Sequence, residues 1–125
     1  MDESITNMSK EQLAQRLGDD HPTVIDLRLN WDECTEKIKH AVHEDPRETA
    51  AWSKKYDRRQ PIVLYCSSPD DTVSRDVARS LLEKGFENPY VLKGGWFVWQ
   101  AARLPVERKT KEPLPGKLIK SVISD

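Results

Sequence analysis

The run Pro61-Ile62-Val63-Leu64-Tyr65, which stops at a cysteine, Cys66, constrains this chain more than any other feature. It is continuously apolar rather than alternating, as expected of a central parallel strand covered on both faces. Val73, Val77, Ala78, Leu81 and Leu82 then recur at helical spacing. Gly85 takes the position just past the end of that helix, and Phe86 is placed for the hydrophobic contact that accompanies such an ending. Cys66 therefore sits at the carboxyl end of a buried strand and just before a helix, where open α/β sheets form ligand sites.

The rest of the chain alternates in the same way. Ser9 and Gln12 form a capping-box pattern, and Leu13, Ala14 and Leu17 continue it as a helix over about 10 to 17, stopped by Gly18. Thr23-Val24-Ile25-Asp26-Leu27 reads as a second buried strand. Residues 28 to 39 read as polar and irregular, and Ala41-Val42 as a brief strand. Asp45, Pro46 and Glu48 mark a further helix start, with Trp52 and Tyr56 one turn apart on its face. Pro89-Tyr90-Val91-Leu92 is another strand. Gly94-Gly95 turns the chain into a last helix with Trp96, Trp99 and Ala102, which Pro105 ends. Strands alternating with helices predict one α/β domain, a mainly parallel central sheet flanked by helices. The domain is expected to span residues 1–108. Residues 109–125 read as a polar C-terminal tail or linker, in which Leu118, Ile119, Val122 and Ile123 could dock back.

Composition removes several function classes. The net charge is −1, which gives no global electrostatic case for nucleic acid or an anionic membrane. The basic residues between Arg103 and Lys120 lack the aromatic platforms of a nucleic-acid surface. No apolar run approaches the ~20 residues of a membrane span, and Met1-Asp2-Glu3-Ser4 does not begin a signal peptide. Two cysteines and three histidines form neither a CxxC pair nor a metal-ligand cluster. The expectation is a cytoplasmic protein with reduced thiols, no metal and no membrane or nucleic-acid partner.

Four pieces, in order and at matching spacing, resemble the rhodanese family. Val24-Ile25-Asp26-Leu27-Arg28 resembles its early strand with an Asp-x-Arg signature, and residues 37 to 42 resemble, weakly, its His-Ile-Pro-Gly-Ala-Ile segment. Ile62 to Cys66 resembles the strand that delivers its active-site cysteine. Gly85-Phe86, Val91 to Trp99 and Leu104-Pro105-Val106 resemble its closing motif. The resemblance implies a single rhodanese-like domain acting as a sulfurtransferase, with Cys66 holding a sulfane sulfur as a persulfide. It implies no metal or organic cofactor. The implied partners are a small sulfur donor and a thiol acceptor, either a small molecule or a protein. The implied substrate loop comprises Ser67, Ser68, Pro69, Asp70, Asp71, Thr72, Ser74 and Arg75, supported by Asp26 and Arg28 at the end of the early strand.

Departures from the family pattern sharpen the expectation. Ser74, the best match for the serine that opens the family's helix, comes eight positions after Cys66 instead of six. The loop is therefore longer, or the helix starts a turn early, with Ser68 as N-cap, Pro69 first in the helix and Asp71 as capping partner. The second reading is favoured. Asp70 and Asp71 would compete with a thiolate for the helix N-terminus and repel anionic thiosulfate, so a neutral, protein-bound or low-molecular-weight persulfide suits the loop better. Thr72 stands where the Cys-x5-Arg phosphatases of this fold carry arginine, which argues against phosphate chemistry. The rival reading is a non-catalytic module for partner binding or redox sensing. Cys34 reads as core filling, with a resolving thiol as the alternative. His40, which aligns with a family glycine, and His43 are assigned to the surface. Trp31 and Trp52 either frame the pocket or fill the core, while Trp96 and Trp99 look like core. Arg103 stands where the family often has glycine, so the helix end there is expected to be built differently.

Overall fold

The computed structural model describes residues 5–109. In chain order they form β1 (Thr6–Met8), α1 (Lys10–Ala14), β2 (Thr23–Asp26), β3 (Glu36–Ile38), β4 (Val42–His43), α2 (Thr49–Trp52), β5 (Ile62–Tyr65), α3 (Thr72–Glu83), β6 (Pro89–Leu92), α4 (Gly95–Ala101) and β7 (Val106–Arg108), with short 3₁₀ turns between. The main sheet runs β1-β6-β5-β2-β4, and every neighbouring pair is parallel. β5 is its central strand, and all four of its residues are buried. The continuous apolar run follows from that position, because a strand covered on both faces has no side to give to water.

Alternation along β5 divides the core in two. Ile62, Leu64 and Cys66 join a cluster with Trp52, Val77 and Leu81, on the side of α2 and α3. Val63 and Tyr65 join the other cluster with Leu13, Leu17, Trp96 and Trp99, on the side of α1 and α4. Cys66 thus faces α3 by strand register alone. No helix among the described residues is long and apolar enough to cross a membrane.

Local chemistry fixes several ends as the sequence predicts. Ser9 and Gln12 make the full reciprocal capping box on α1. The amide of Phe86 donates to Leu81 and that of Gly85 to Leu82, with Gly85 at φ 90°, the left-handed ending that glycine favours. Other expectations need correction. α1 stops at Ala14 rather than near residue 17. The segment read as irregular contains β3, which pairs antiparallel with β7, and the strand β1 was not foreseen. These strands have three residues each, too few to show a period. Asp45 accepts from the Arg47 amide but opens a 3₁₀ turn before α2, and Glu48 does not complete a box. Arg103 does adopt a left-handed conformation, φ 58°, at the end of α4. The helix end is built as the family's glycine would build it, and arginine carries the strain.

His40, at φ 72°, also occupies a conformation suited to the glycine it aligns with. Neither it nor His43 is a free surface residue. His40 stacks on His21 at 3.9 Å between ring centroids, and His43 stacks on Trp31 at 4.4 Å. The residues of the expected tail beyond Lys109, including Leu118, Ile119, Val122 and Ile123, lie outside the described residues.

Candidate active site

The site is assembled by three chain segments that meet at the end of β5. Cys66 follows that strand and is 2% exposed. Its carbonyl accepts from the Trp96 amide at 3.0 Å, which ties it to the start of α4. Gly95, at φ 58°, makes this approach possible. A Cβ there would lie 2.3 Å from the Cys66 carbonyl oxygen, well inside van der Waals contact. The double glycine is thus a requirement of the site and not only of the turn.

The loop after Cys66 differs from the favoured expectation. Pro69–Asp71 forms a 3₁₀ turn in which Asp70 and Asp71 are both left-handed, at φ 55° and 58°, and α3 proper begins at Thr72. The longer-loop reading is therefore correct. Two consecutive left-handed residues cannot continue a helix, and aspartate is among the few side chains that tolerate this conformation. The Asp71 amide donates to the Ser68 carbonyl at 3.3 Å, but the Asp71 carboxylate does not close a capping box. Its carboxylate accepts from the Gly94 amide at 3.0 Å and holds the loop against the turn before α4. Ser68 does cap α3, but five residues along: its Oγ accepts from the Val73 amide at 3.1 Å. The same Oγ lies 3.1 Å from Cys66 Sγ. The amides of Ser67 and Ser68 make no hydrogen bond among the described residues, which leaves two donors in the loop that follows Cys66.

Cys66 lies in a cleft of about 300 Å³ with Ser67, Ser68, Leu29, Asn30 and Val73 in its walls. The remaining predicted loop residues do not share it. Pro69, Asp70 and Asp71 line a neighbouring groove with Lys93, Phe97 and Val98. Thr72 turns its hydroxyl onto the Pro69 carbonyl. Ser74 is fully buried with no hydrogen bond to its hydroxyl, and Arg75 reaches away to Asn7.

Asp26 and Arg28 form a buried pair and not a surface one. The guanidinium meets the carboxylate through both Nε and Nη2, at 3.0 and 2.7 Å, and Nη2 also donates to the Glu36 carbonyl. The Tyr65 hydroxyl donates to the same carboxylate and accepts from the Ile38 amide. Burial, with the Asp26 charge beside it, holds the Tyr65 phenol protonated far above its ordinary range. The Arg28 guanidinium stacks over Trp96, 4.3 Å from the ring centroid, and lines the Cys66 cleft. The pair therefore joins β2, β3 and α4 beside the Cys66 cleft.

Cys34 is not core filling. It is half-buried, donates weakly to the Asn30 carbonyl at 3.4 Å, and lines a separate pocket of about 240 Å³ with Arg28, Ser67, Trp96 and Phe97. Burial pushes its thiol up, which disfavours the thiolate that a resolving role needs. Trp52 is buried in the core, while Trp31 stacks on His43 beside Arg28 and outside the cleft.

The sequence profile of the Rhodanese-like domain matches residues 9–102. The chain belongs to the rhodanese-like family. Among curated rhodanese relatives, the thiosulfate sulfurtransferase GlpE of Glaesserella parasuis is 26% identical over 107 residues, 86% of this chain and 97% of its own length. The GlpE of Coxiella burnetii is 35% identical over 78 residues, 62% of this chain and 71% of its own length. The solved rhodanese-like domain of the Alr3790 protein from Anabaena sp. superposes with a TM-score of 0.70 at 22% identity, covering 93% of this chain and 90% of that one. At that identity the superposition shows the rhodanese fold, and the GlpE relatives support the sulfurtransferase branch of the family.

Proposed function

We propose that this protein is a rhodanese-type sulfurtransferase in which Cys66 carries the transferred sulfur as a persulfide. The observation that carries the reading is the setting of Cys66 Sγ at the end of the central strand, 3.1 Å from Ser68 Oγ and followed by two amides that make no hydrogen bond among the described residues. Those donors suit an anionic sulfur in a site from which water is largely excluded.

In the first half-reaction the Cys66 thiolate attacks the sulfane sulfur of a donor. A new S–S bond forms, the donor's S–S bond breaks, and the donor leaves with the electron pair, as a thiolate from a persulfide or as sulfite from thiosulfate. In the second, an acceptor thiolate attacks the outer sulfur of the Cys66 persulfide, and the electron pair returns to Cys66. No net oxidation occurs. The Ser67 and Ser68 amides and the Ser68 hydroxyl hold the negative charge on the terminal sulfur between the two steps.

The donor favoured is a persulfide rather than thiosulfate. No cationic nitrogen stands free in the cleft: Arg28 is spent on Asp26, and Asp70 lies on the adjoining groove with no ion pair among the described residues. Among the described lining residues the cleft offers a dianion no unpaired base, and the adjoining groove sets the Asp70 carboxylate against one unpaired lysine, Lys93. The test is steady-state formation of thiocyanate with cyanide as acceptor and either thiosulfate or glutathione persulfide as donor, so that donor and acceptor differ and net transfer can be read. Turnover that requires Cys66 and is faster with the persulfide supports the reading. Turnover that survives Cys66→Ser contradicts it.

A further inference from the structure

Leu29, Val42 and Phe97 are the large apolar side chains that stand exposed among the described residues; Leu29 lines the Cys66 cleft and Phe97 the two hollows that adjoin it. Leu29 forms one wall of the Cys66 cleft. Phe97, 60% exposed, lines both the Cys34 pocket and the groove of Pro69, Asp70 and Asp71. The three hollows are separate but adjoin through shared wall residues. Ser67 is shared by the Cys66 cleft and the Cys34 pocket, and Ser68 by the cleft and the groove, which holds about 530 Å³ with Pro69, Phe97 and Val98 in its walls. Exposed apolar side chains at hollows that adjoin the nucleophile suit contact with a partner larger than thiosulfate.

The charges around the rim select the partner. Glu33, Glu36 and Asp70 line these hollows, and none of their carboxylates has an ion pair among the described residues. Lys10 is neutralised by Glu11 at 3.2 Å and Arg28 by Asp26 at 2.7 Å. Among the described lining residues only Lys93 brings an uncompensated positive charge, so the rim is acidic on balance. A partner that covers it needs apolar surface for Phe97 and Leu29 and basic side chains for the carboxylates.

We propose that the rim formed by Leu29, Phe97, Glu33, Glu36 and Asp70 docks a protein whose reactive cysteine is flanked by an apolar side chain and by lysine or arginine. That cysteine accepts the sulfur in preference to small thiols. The inference rests on the reading of Cys66 as a persulfide carrier. In the transfer step the partner's thiolate attacks the outer sulfur of the Cys66 persulfide. The Cys66 S–S bond breaks, its electron pair stays on Cys66, and the partner leaves as the persulfide without any external oxidant or reductant.

The test uses the full chain and two single-cysteine peptides, one with leucine and lysines beside the cysteine and one with glycine and glutamates. Protein loaded with sulfur, with loading checked by intact mass, is mixed with each peptide and transfer is followed. The leucine-lysine peptide is expected to react about ten-fold faster or more, a preference that shrinks in Phe97→Ser and at high salt. Equal rates for the two peptides, or an unchanged preference in Phe97→Ser, would overturn the proposal. A second arm needs no sulfur chemistry. Fluorescently labelled peptides carrying serine for cysteine are titrated against the Cys66→Ser protein. Tighter binding of the leucine-lysine peptide, weakened by Phe97→Ser, supports the docking surface even if Cys66 fails to load. Indistinguishable binding by a protein that does load rejects the surface and leaves the carrier role standing.

Discussion

Cys66 Sγ and Ser68 Oγ lie 3.1 Å apart, and that hydroxyl oxygen also accepts from the Val73 amide at the start of α3. Ser68 thus links the nucleophile to the helix that follows it. With the Val73 amide donating to its oxygen, its own proton is free to point at the sulfur. A hydrogen bond to a charged group contributes about 1.5–3 kcal/mol, so Ser68→Ala should slow sulfur transfer about ten-fold or more. Single-turnover transfer from Cys66 persulfide to glutathione measures this, and a wild-type rate in Ser68→Ala would remove the hydroxyl from the mechanism.

Gly95 lets the chain pass against the Cys66 carbonyl. A Cβ at 2.3 Å from that oxygen, on a backbone at φ 58°, forces a shift of the cysteine or of α4. Gly95→Ala is expected to cost at least about 2 kcal/mol of stability, from left-handed strain and the clash together. Activity should fall further than stability alone explains. Urea denaturation alongside turnover separates the two, and a neutral alanine would show that the approach is not needed.

Arg103 presents the opposite case. It carries a side chain at φ 58°, where no Cβ is favoured. Arg103→Gly should stabilise the protein by about 0.5–1 kcal/mol and raise Tm by a few degrees. A lowered Tm would mean that the arginine side chain contributes more than its backbone costs.

The Asp26–Arg28 pair is buried on both sides, at 2.7 Å, with Tyr65 donating to the same carboxylate. Removing one partner leaves the other charge uncompensated. Arg28→Met should therefore destabilise by about 3–5 kcal/mol and lower activity through loss of the ordered site. The double variant Asp26→Leu with Arg28→Met should recover part of that loss in denaturation experiments. A double variant no better than the single one would assign the loss to packing rather than to charge.

The pair Lys37–Glu107, at 2.8 Å, joins β3 to β7. Its hydrogen bond from Lys37 holds the Glu107 carboxyl below its ordinary value. A folded-state value depressed in this way contributes stability that is present above the unfolded value and is lost as pH falls through the folded one. Glu107→Gln should thus matter near neutral pH and little in acid. Thermal midpoints across pH 3 to 7 would show the wild-type and variant curves converging at the acidic end, on the order of the usual carboxylate range. Parallel curves would contradict the assignment.

Much of this was legible in the sequence where one residue type answers one physical need. The run Pro61 to Tyr65 announces a two-sided strand, the Ser9–Gln12 box and Gly85-Phe86 mark helix ends, and Cys66 is placed by the strand it terminates. The loop was less legible. Ser68-Pro69-Asp70-Asp71 carries every sign of a helix start, yet the Asp71 carboxylate is claimed by the Gly94 amide, a residue 23 positions away. A long-range bond of that kind overrides local capping preference and leaves no periodic trace. For the same reason the sequence did not separate Ser67 and Ser68, which share the cleft with Cys66, from Thr72, Ser74 and Arg75, which do not. The pocket at Cys34 arises from β3 and α4, and no local pattern connects those elements.

The central claim, that Cys66 carries sulfur, is tested most directly by the intact mass of the protein after exposure to glutathione persulfide and, separately, to thiosulfate. Cys66→Ala and Cys66→Ser serve as controls. The account predicts a gain of one sulfur atom on the wild-type chain, greater with the persulfide, that disappears in both variants and on addition of a thiol. No added sulfur from either donor on a protein whose Cys66 is open to alkylation would contradict it and return the fold to the role of a binding module.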